Sequence, residues 1–368
     1  MARGELNQSV RGRARVALVG AGAWGTRIQH TLLGLESVEL CVVCDPSAAA
    51  RDSAVALAPR VRVVSELSEV LARGDLDAVF IATPPSTHAA LALECLDAGL
   101  DVFVEKPMAL GLREACALEA MAERRQRLLM VGHILEYHPA VVALGELVQG
   151  GSLGEIQILI SERLGPSARR HEDAWWSLGP HDVSVLRKLV GEPCRASVRG
   201  WPSDRAPGAE VALGRIDLDG GGAALVHLSL VNRAKVRRIV LVGSSAVAVF
   251  DDLCPSEELR IFERSAVGEG RLADIVGNAR GLLPRDRPEH DALDGVAPAK
   301  WLPVQGQRVI PVAMRAPLEL EAEHFISGVL HRTPVRSDGA SGRAVVATLE
   351  AGARSLSAGG APEEVFSA

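Results

Sequence analysis

The first 135 residues alternate short apolar runs with helical patterns, and this alternation limits the fold more than any other feature. Apolar runs fall at 15–19 (RVALV), 39–43 (ELCVV), 61–64 (VRVV), 78–82 (AVFIA), 101–105 (DVFVE) and 128–131 (LLMV). Helical patterns fill the gaps at 24–35, 47–57, 66–73, 86–98 and 111–126, and Gly74 and Gly99 stand where helix C-caps belong. Near-continuous apolar strands separated by helices require a parallel sheet covered on both faces. The expectation is an α/β Rossmann domain with a doubly wound parallel sheet over 13–135, preceded by a flexible tail at 1–12.

Beyond residue 135 the pattern changes. A helix at 138–149 leads to a long strand in GEIQILISERLG (154–165), then to a short helix at 182–190. Strand-like runs follow at 194–201, 210–218, 223–231, 236–243, 246–251 and 259–263, with hairpin signals in DLDGGG (217–222) and GSS (243–245). This reads as a meander, so 136–368 is expected to be an α+β domain with a large, mostly antiparallel sheet, for substrate binding and oligomerisation. Residues 265–300, rich in Gly, Pro and charge, read as an irregular insertion, and helices return at 317–330 and 341–357. A chain of 368 residues is long enough for two such domains. An antiparallel sheet with one uncovered face implies a homodimer or homotetramer.

Composition narrows the function classes. Hydrophobic residues make up 48% and charged residues 23%, as in a globular chain. A net charge of −6 argues against a nucleic-acid partner, which needs a basic field. No apolar run reaches the ~18–20 residues of a membrane span. The opening MARGELNQSVRGRARV lacks an apolar h-region, so a cytoplasmic location is expected. Cys41 and Cys44 lie on a strand pattern rather than at a helix N-terminus, and read as reduced apolar residues. No His/Cys spacing suits a zinc site, so no metal is expected.

The chemistry is written at the strand ends. GAGAWG places Gly20, Gly22 and Gly25 in a GxGxxG loop that follows a strand and opens a helix, with Asp45 twenty residues after Gly25 at the end of the second strand. Such a loop presents backbone N–H groups and a helix dipole to a pyrophosphate, and the acid accepts from both ribose hydroxyls while repelling a 2′-phosphate. NAD(H) is the expected cofactor, with Ala23 and Trp24 in the same loop. ATPPSTH (82–88) follows the fourth strand and adds Thr83, Pro84, Ser86 and His88; it also suits a plain helix N-terminus capped by Ser86. VEKP (104–107) aims Lys106 at the nicotinamide crevice unless it is a solvated strand-end lysine, and the Lys106–Pro107 bond is a candidate for cis geometry. In GPHDVSVLRKLV (179–190), His181 opens a helix whose dipole would keep it neutral and able to act as a base; a capping or core histidine is the alternative. Asp182 reads as a helix-start residue. Arg163, Arg169 and Arg170 cluster with Trp175 and Trp176 in 160–176, as an anion site for substrate or as solvated arginines beside core tryptophans.

Together, the glycine loop, ATPPSTH, EKP and the later histidine resemble the Gfo/Idh/MocA oxidoreductase family, and APLELEAEHFISGVLHRTPVRSDG is similar to its closing helices. GHILEYHPAV, GSLGEIQILISERLG and GPHD are most similar to the sugar-nucleotide 3-dehydrogenase branch acting on UDP-N-acetylglucosaminuronate. The resemblance implies that Lys106 and His181 are the catalytic pair and that Glu105 and Tyr137 line the site. Many members carry an aspartate four residues before the histidine, where this chain has Ser177. The expected activity is NAD-dependent hydride transfer to or from a secondary alcohol or ketone of a sugar, sugar nucleotide or cyclitol. Two alternatives share the fold: a non-catalytic NAD-bound sensor, and an NAD-dependent glycosidase or lyase with transient oxidation.

Overall fold

The computed structural model describes residues 12–167, 173–202, 208–254, 259–264 and 307–366. The 265–300 segment and most of the 1–12 tail lie outside the described residues.

Six strands, β1 (Ala14–Val19), β2 (Val38–Cys44), β3 (Arg62–Val64), β4 (Ala78–Ile81), β5 (Asp101–Glu105) and β6 (Leu129–Gly132), form a parallel sheet in the order β3-β2-β1-β4-β5-β6. This is the doubly wound arrangement expected from the sequence. The order reverses between β1 and β4, and ligands of such sheets sit beyond the strand C-termini at that point. Helices α1 (Ala23–Gly34), α2 (Ala48–Leu57), α3 (Leu67–Leu71), α4 (Pro85–Asp97) and α5 (Leu112–Arg125) are the crossovers. β4 and β5 are buried throughout, as strands with both faces covered must be.

A 3-10 turn (Ile134–Tyr137) and α6 (Pro139–Gln149) lead into the second sheet. Its strands are β7 (Ile156–Pro166), β8 (Pro193–Pro202), β9 (Ala209–Leu218), β10 (Ala223–Ser229), β11 (Val231–Gly243), β12 (Ala246–Asp251), β13 (Leu259–Glu263), β14 (Gln307–Ile310) and β15 (Glu363–Glu364). The order is β14-β13-β12-β11-β7-β10-β9-β8-β15, so this is not a simple meander. β7, first in sequence, sits in the middle; it runs parallel to β10 and antiparallel to β11. Its alternation of buried and half-buried residues gives it one core face. Leu213 and Leu225, on neighbouring β9 and β10, are exposed on the other face.

The helix expected at 182–190 is longer. α7 spans Ala174–Val190, is capped by Asp173, whose carboxylate accepts from the Trp176 N–H, and carries Pro180 inside it. Pro180 is the seventh residue of the helix, beyond its first turn, so its missing N–H removes the intrahelical bond that would run to the Trp176 carbonyl. α7 lies on the core face of the second sheet, with Val183, Val185, Leu186 and Leu189 in the same apolar core as Leu159, Val226 and Leu228. The last helices cross the expected domain boundary. α8 (Pro317–His331) sends Phe325 into the first core, 5.2 Å and 5.8 Å in centroid distance from Phe80 and Phe103. α9 (Gly339–Ser357) packs on α5 of the first domain and on α7 and β8 of the second, so the crevice is bounded by one packed body.

Candidate active site

A crevice of about 1360 Å³ runs from the glycine loop to α7. At one end its walls are backbone. Gly20 has φ +96°, a conformation L side chains rarely adopt, and a Cβ there would stand 2.6 Å from the Ala82 carbonyl oxygen. A Cβ on Gly25 would stand 2.0 Å from the Gly20 oxygen, which is why α1 can begin so close to β1. Gly22 differs: a Cβ there would meet nothing within 4 Å, and the residue lines the crevice. It is the N-cap of α1 and offers no side-chain cap, so the first-turn N–H groups face a space suited to a pyrophosphate. Ala23 and Trp24 line the same space.

Asp45 stands at the end of β2 and lines the crevice, with its oxygens accepting from the Ala21 N–H at 2.7 Å and the Ser47 N–H at 2.8 Å. It thus ties the glycine loop to the start of α2 while remaining at the ribose position. Thr83, Pro84 and Ser86 also line the crevice. The buried His88 ring lies between two carbonyls, Pro107 at 2.8 Å from Nδ1 and Thr83 at 2.8 Å from Nε2. Burial, with Lys106 nearby, lowers its pKa despite both contacts. Glu105 is buried beside the crevice and accepts from the Trp24 indole at 2.5 Å. Burial raises its pKa against the pull of Trp24 and Lys106.

At the other end the walls are side chains. Lys106 follows β5, its peptide bond to Pro107 is cis, and its ammonium donates to the Ser177 carbonyl at 2.9 Å. Ser177 lies one turn before His181 on α7, so this bond brings lysine and histidine to one wall. His181 lines the crevice with Nδ1 buried and unpartnered. Its pKa lies well below the usual value, first through burial, then through Lys106, Arg163, His133 and Arg237. The cause is not the helix dipole suggested by the sequence: His181 sits in the middle of α7, away from its N-terminus, and burial among cations takes the dipole's place.

Several expected residues stand elsewhere. The buried Arg163 guanidinium is bound to Asp182 through two bonds of 2.9 and 3.0 Å, and Ser161 donates to the same carboxylate at 2.6 Å. Asp182 is therefore a buried ion-pair partner, not a helix-start acid, and Arg163 does not line the crevice. Arg169 and Arg170 lie outside the described residues. Trp175 is fully buried, donates to the Leu349 carbonyl at 2.8 Å and belongs to the second core; its neighbour Trp176 lines the crevice instead. Tyr137 is buried in the first core, with Arg336 4.8 Å from its ring centroid, and does not line the crevice. Sequence reasoning missed Asp173, whose place before AWW is a capping signal. It also missed His133, Glu321 and Arg237. Arg237 lies in register with Arg163 on the adjacent strand, and burial together with Arg163 lowers its pKa. Glu321 is buried with neither oxygen bonded, and burial holds its pKa well above the usual value. No cluster of three metal-ligating side chains occurs among the described residues.

Residues 14–133 match the family model GFO_IDH_MocA, described as an oxidoreductase family with an NAD-binding Rossmann fold. The UDP-N-acetylglucosamine 3-dehydrogenase of Acidithiobacillus ferrooxidans is 29% identical over 338 residues, covering 90% of this chain and 94% of that protein. Its solved structure aligns with a TM-score of 0.76 at 26% identity, over 94% of this chain and 99% of that one. Inositol 2-dehydrogenase 2 of Paenarthrobacter aurescens is 30% identical over 188 residues, 49% of this chain and 56% of that protein. The WlbA dehydrogenase of Bordetella pertussis, solved with NADH and UDP-GlcNAcA, shares the fold with a TM-score of 0.76 at 18% identity, over 97% of this chain and 99% of that one. Residues 14–133 therefore match the NAD-binding domain of the Gfo/Idh/MocA oxidoreductases, and the chain shares the two-sheet fold of the Acidithiobacillus ferrooxidans enzyme.

Proposed function

We propose that this chain is an NAD-dependent dehydrogenase acting on a secondary alcohol or ketone of a sugar nucleotide, sugar or cyclitol, with Lys106 and His181 meeting at one substrate oxygen. The observation that carries this reading is the 2.9 Å bond from the Lys106 ammonium to the Ser177 carbonyl, which sets the lysine one helical turn from His181 on the crevice wall. Gly22, Ala23 and Trp24 would hold the pyrophosphate of NAD, Asp45 its adenosine ribose, and Thr83, Pro84 and Ser86 would flank the nicotinamide side. The nicotinamide, when bound, supplies the hydride acceptor or donor.

Neutral His181 accepts the substrate hydroxyl proton at its crevice-facing nitrogen in oxidation and returns it in reduction. The Lys106 ammonium stabilises the developing alkoxide charge, and burial in the crevice strengthens that attraction. We further propose that two or more copies of the chain associate through the bare face of the second sheet around Leu213 and Leu225, and that the protein works in the cytoplasm, where its free cysteines stay reduced.

The test is incubation with NAD and a panel of nucleotide sugars, free sugars and inositols, followed by NADH absorbance and mass analysis of products. An oxidised sugar product with stoichiometric NADH is expected. Cleaved product without net NADH, or NAD binding with no turnover across the panel, would overturn the reading in favour of a glycosidase or a sensor.

A further inference from the structure

α7 opens with two neighbouring tryptophans that stand in opposite surroundings. Trp175 is fully buried, and its indole N–H donates to the Leu349 carbonyl. Trp176 is half-buried: it packs against the second core and also lines the crevice. Its indole N–H has no hydrogen-bond partner among the described residues and is not shut away from solvent. A buried tryptophan pairs that group, as Trp175 does, so an open one on a concave wall is a donor directed at a ligand.

The backbone at Trp176 is pinned. Its N–H donates to one oxygen of the Asp173 carboxylate at 3.0 Å, and the other oxygen accepts from the Ala209 N–H at 2.8 Å, so the first turn of α7 is tied to β9. Ser177 follows directly, and its carbonyl holds the Lys106 ammonium at 2.9 Å. Successive Cα atoms are about 3.8 Å apart, and His181 lies five residues along the helix, about 7.5 Å at 1.5 Å per residue. The indole therefore stands beside the proposed reacting groups, not at the far end of a bound molecule. In a nucleotide sugar, a ribose and a diphosphate separate the base from the reacting ring and carry it away from this wall. The other crevice tryptophan, Trp24, is already engaged: its indole N–H is bonded to Glu105 at the cofactor end.

We propose that Trp176 is a specificity-determining residue, the platform on which the ring being oxidised or reduced lies. The C–H face of that ring rests on the indole, whose π face attracts the weakly positive hydrogens, and one ring hydroxyl accepts from the indole N–H. A pyranose or a cyclitol presents such a face, with hydroxyls around its edge, whereas an open-chain polyol holds none. The substrate class thus narrows to saturated six-membered rings. The inference rests on the dehydrogenase reading for the chemistry done on the ring that lies there.

The test uses the full chain with NAD bound, as wild type, Trp176→Phe and Trp176→Leu, with UDP-N-acetylglucosamine, myo-inositol, sorbitol and UDP as probes. Binding is followed by ¹⁵N NMR of the tryptophan indoles and by calorimetry, and turnover by NADH absorbance. In wild type, at least one of the two ring compounds should shift an indole N–H resonance that is absent from Trp176→Phe, whereas sorbitol and UDP should leave it in place. Trp176→Leu should weaken binding of that ring compound at least about tenfold, the scale of losing one stacked aromatic. Trp176→Phe keeps the face and loses the donor, and should weaken it about threefold. NAD affinity should stay within about twofold in both. A loss for UDP as large as for UDP-N-acetylglucosamine would make the indole a base platform, and an equal loss of NAD affinity would make it a nicotinamide wall; either overturns the proposal. So does a wild-type spectrum in which no indole resonance moves with either ring compound, a result that needs no folded variant. If a ring compound binds through Trp176 as expected but forms no NADH, the platform stands and the dehydrogenase reading fails instead.

Discussion

The two ends of the crevice are built on different principles. At the glycine loop the fit comes from what is missing: no Cβ at Gly20, Gly22 or Gly25, and a carboxylate, Asp45, bonded to two backbone N–H groups. At the α7 end the fit comes from side chains left incomplete, with His133 and His181 holding unpartnered nitrogens among cations. The binding end is satisfied within itself. The α7 end, where the reaction is proposed, keeps buried imidazole nitrogens without hydrogen-bond partners, as expected where chemistry must change protonation states. The two ends should therefore fail independently.

The largest expected effect is at the reacting end. His181→Asn should lower kcat about 10²–10⁴-fold, the range for losing a general acid–base group, while NAD affinity stays within about twofold. Lys106→Met should also reduce turnover. Equal losses in NAD binding and kcat for His181→Asn would break the division between the ends.

At the binding end, wild type should prefer NAD(H) over NADP(H), and Asp45→Ala should narrow that preference about tenfold or more, as loss of hydrogen bonds to a charged group does. Paired fluorescence titrations check this, and a wild-type preference for NADP(H) would remove Asp45 from its assigned place. Gly22→Val, whose side chain would enter the crevice, should weaken NAD binding at least about tenfold, or ~1.4 kcal/mol, with kcat at saturating NAD nearly unchanged. A similar fall in kcat would show that the two ends are mechanically coupled.

The smallest effect sharpens the contrast through pH. Burial pushes His133 down to about 3 and His181 well below its usual value, whereas both titrate near 6.5 in the unfolded chain. As pH falls below about 6.5 the unfolded chain takes up two protons that the folded chain refuses. Stability is thus full above that pH and falls below it, by up to ~1.4 kcal/mol per pH unit for each histidine, until the folded pKa is reached. Denaturant titrations from pH 7 to 4.5 should show a shallower acid limb in His133→Gln than in wild type, and an unchanged limb would contradict the burial of a neutral imidazole.

How much of this was legible in the sequence follows the same division. Glycine spacing, Asp45 and Lys106 are set by local chain geometry, because strand ends and loop lengths place them directly. His181 was found by its motif but given the wrong helix. GPHD suggests a helix opened by His181, while the actual cap, Asp173, lies eight residues earlier. Arg163 and Trp175 were misplaced because their partners are remote in the chain: Asp182 is nineteen positions from Arg163, and Leu349 is 174 from Trp175. No local pattern announces such pairings. His133 escaped notice for the opposite reason, since nothing in GHILEY distinguishes a buried unpartnered histidine from a packed one.

The seating of Trp175 has a mechanical consequence. Its indole fills a socket between helix and sheet: a Cβ on Gly352 of α9 would lie 2.3 Å from the ring, and one on Gly214 of β9 would lie 3.2 Å from it. The ring acts as a key in a keyway and sets the azimuth of α7 about its own axis. His181 stands six residues further along, about 9 Å at 1.5 Å per residue. With its ring roughly 6 Å off the axis, a 10° twist of the shaft would carry the imidazole about 1 Å sideways, a displacement of the size that costs enzymes about 10² in rate. The alignment of the proposed base is therefore held by two hydrogen-sized vacancies, at glycines that line no part of the crevice.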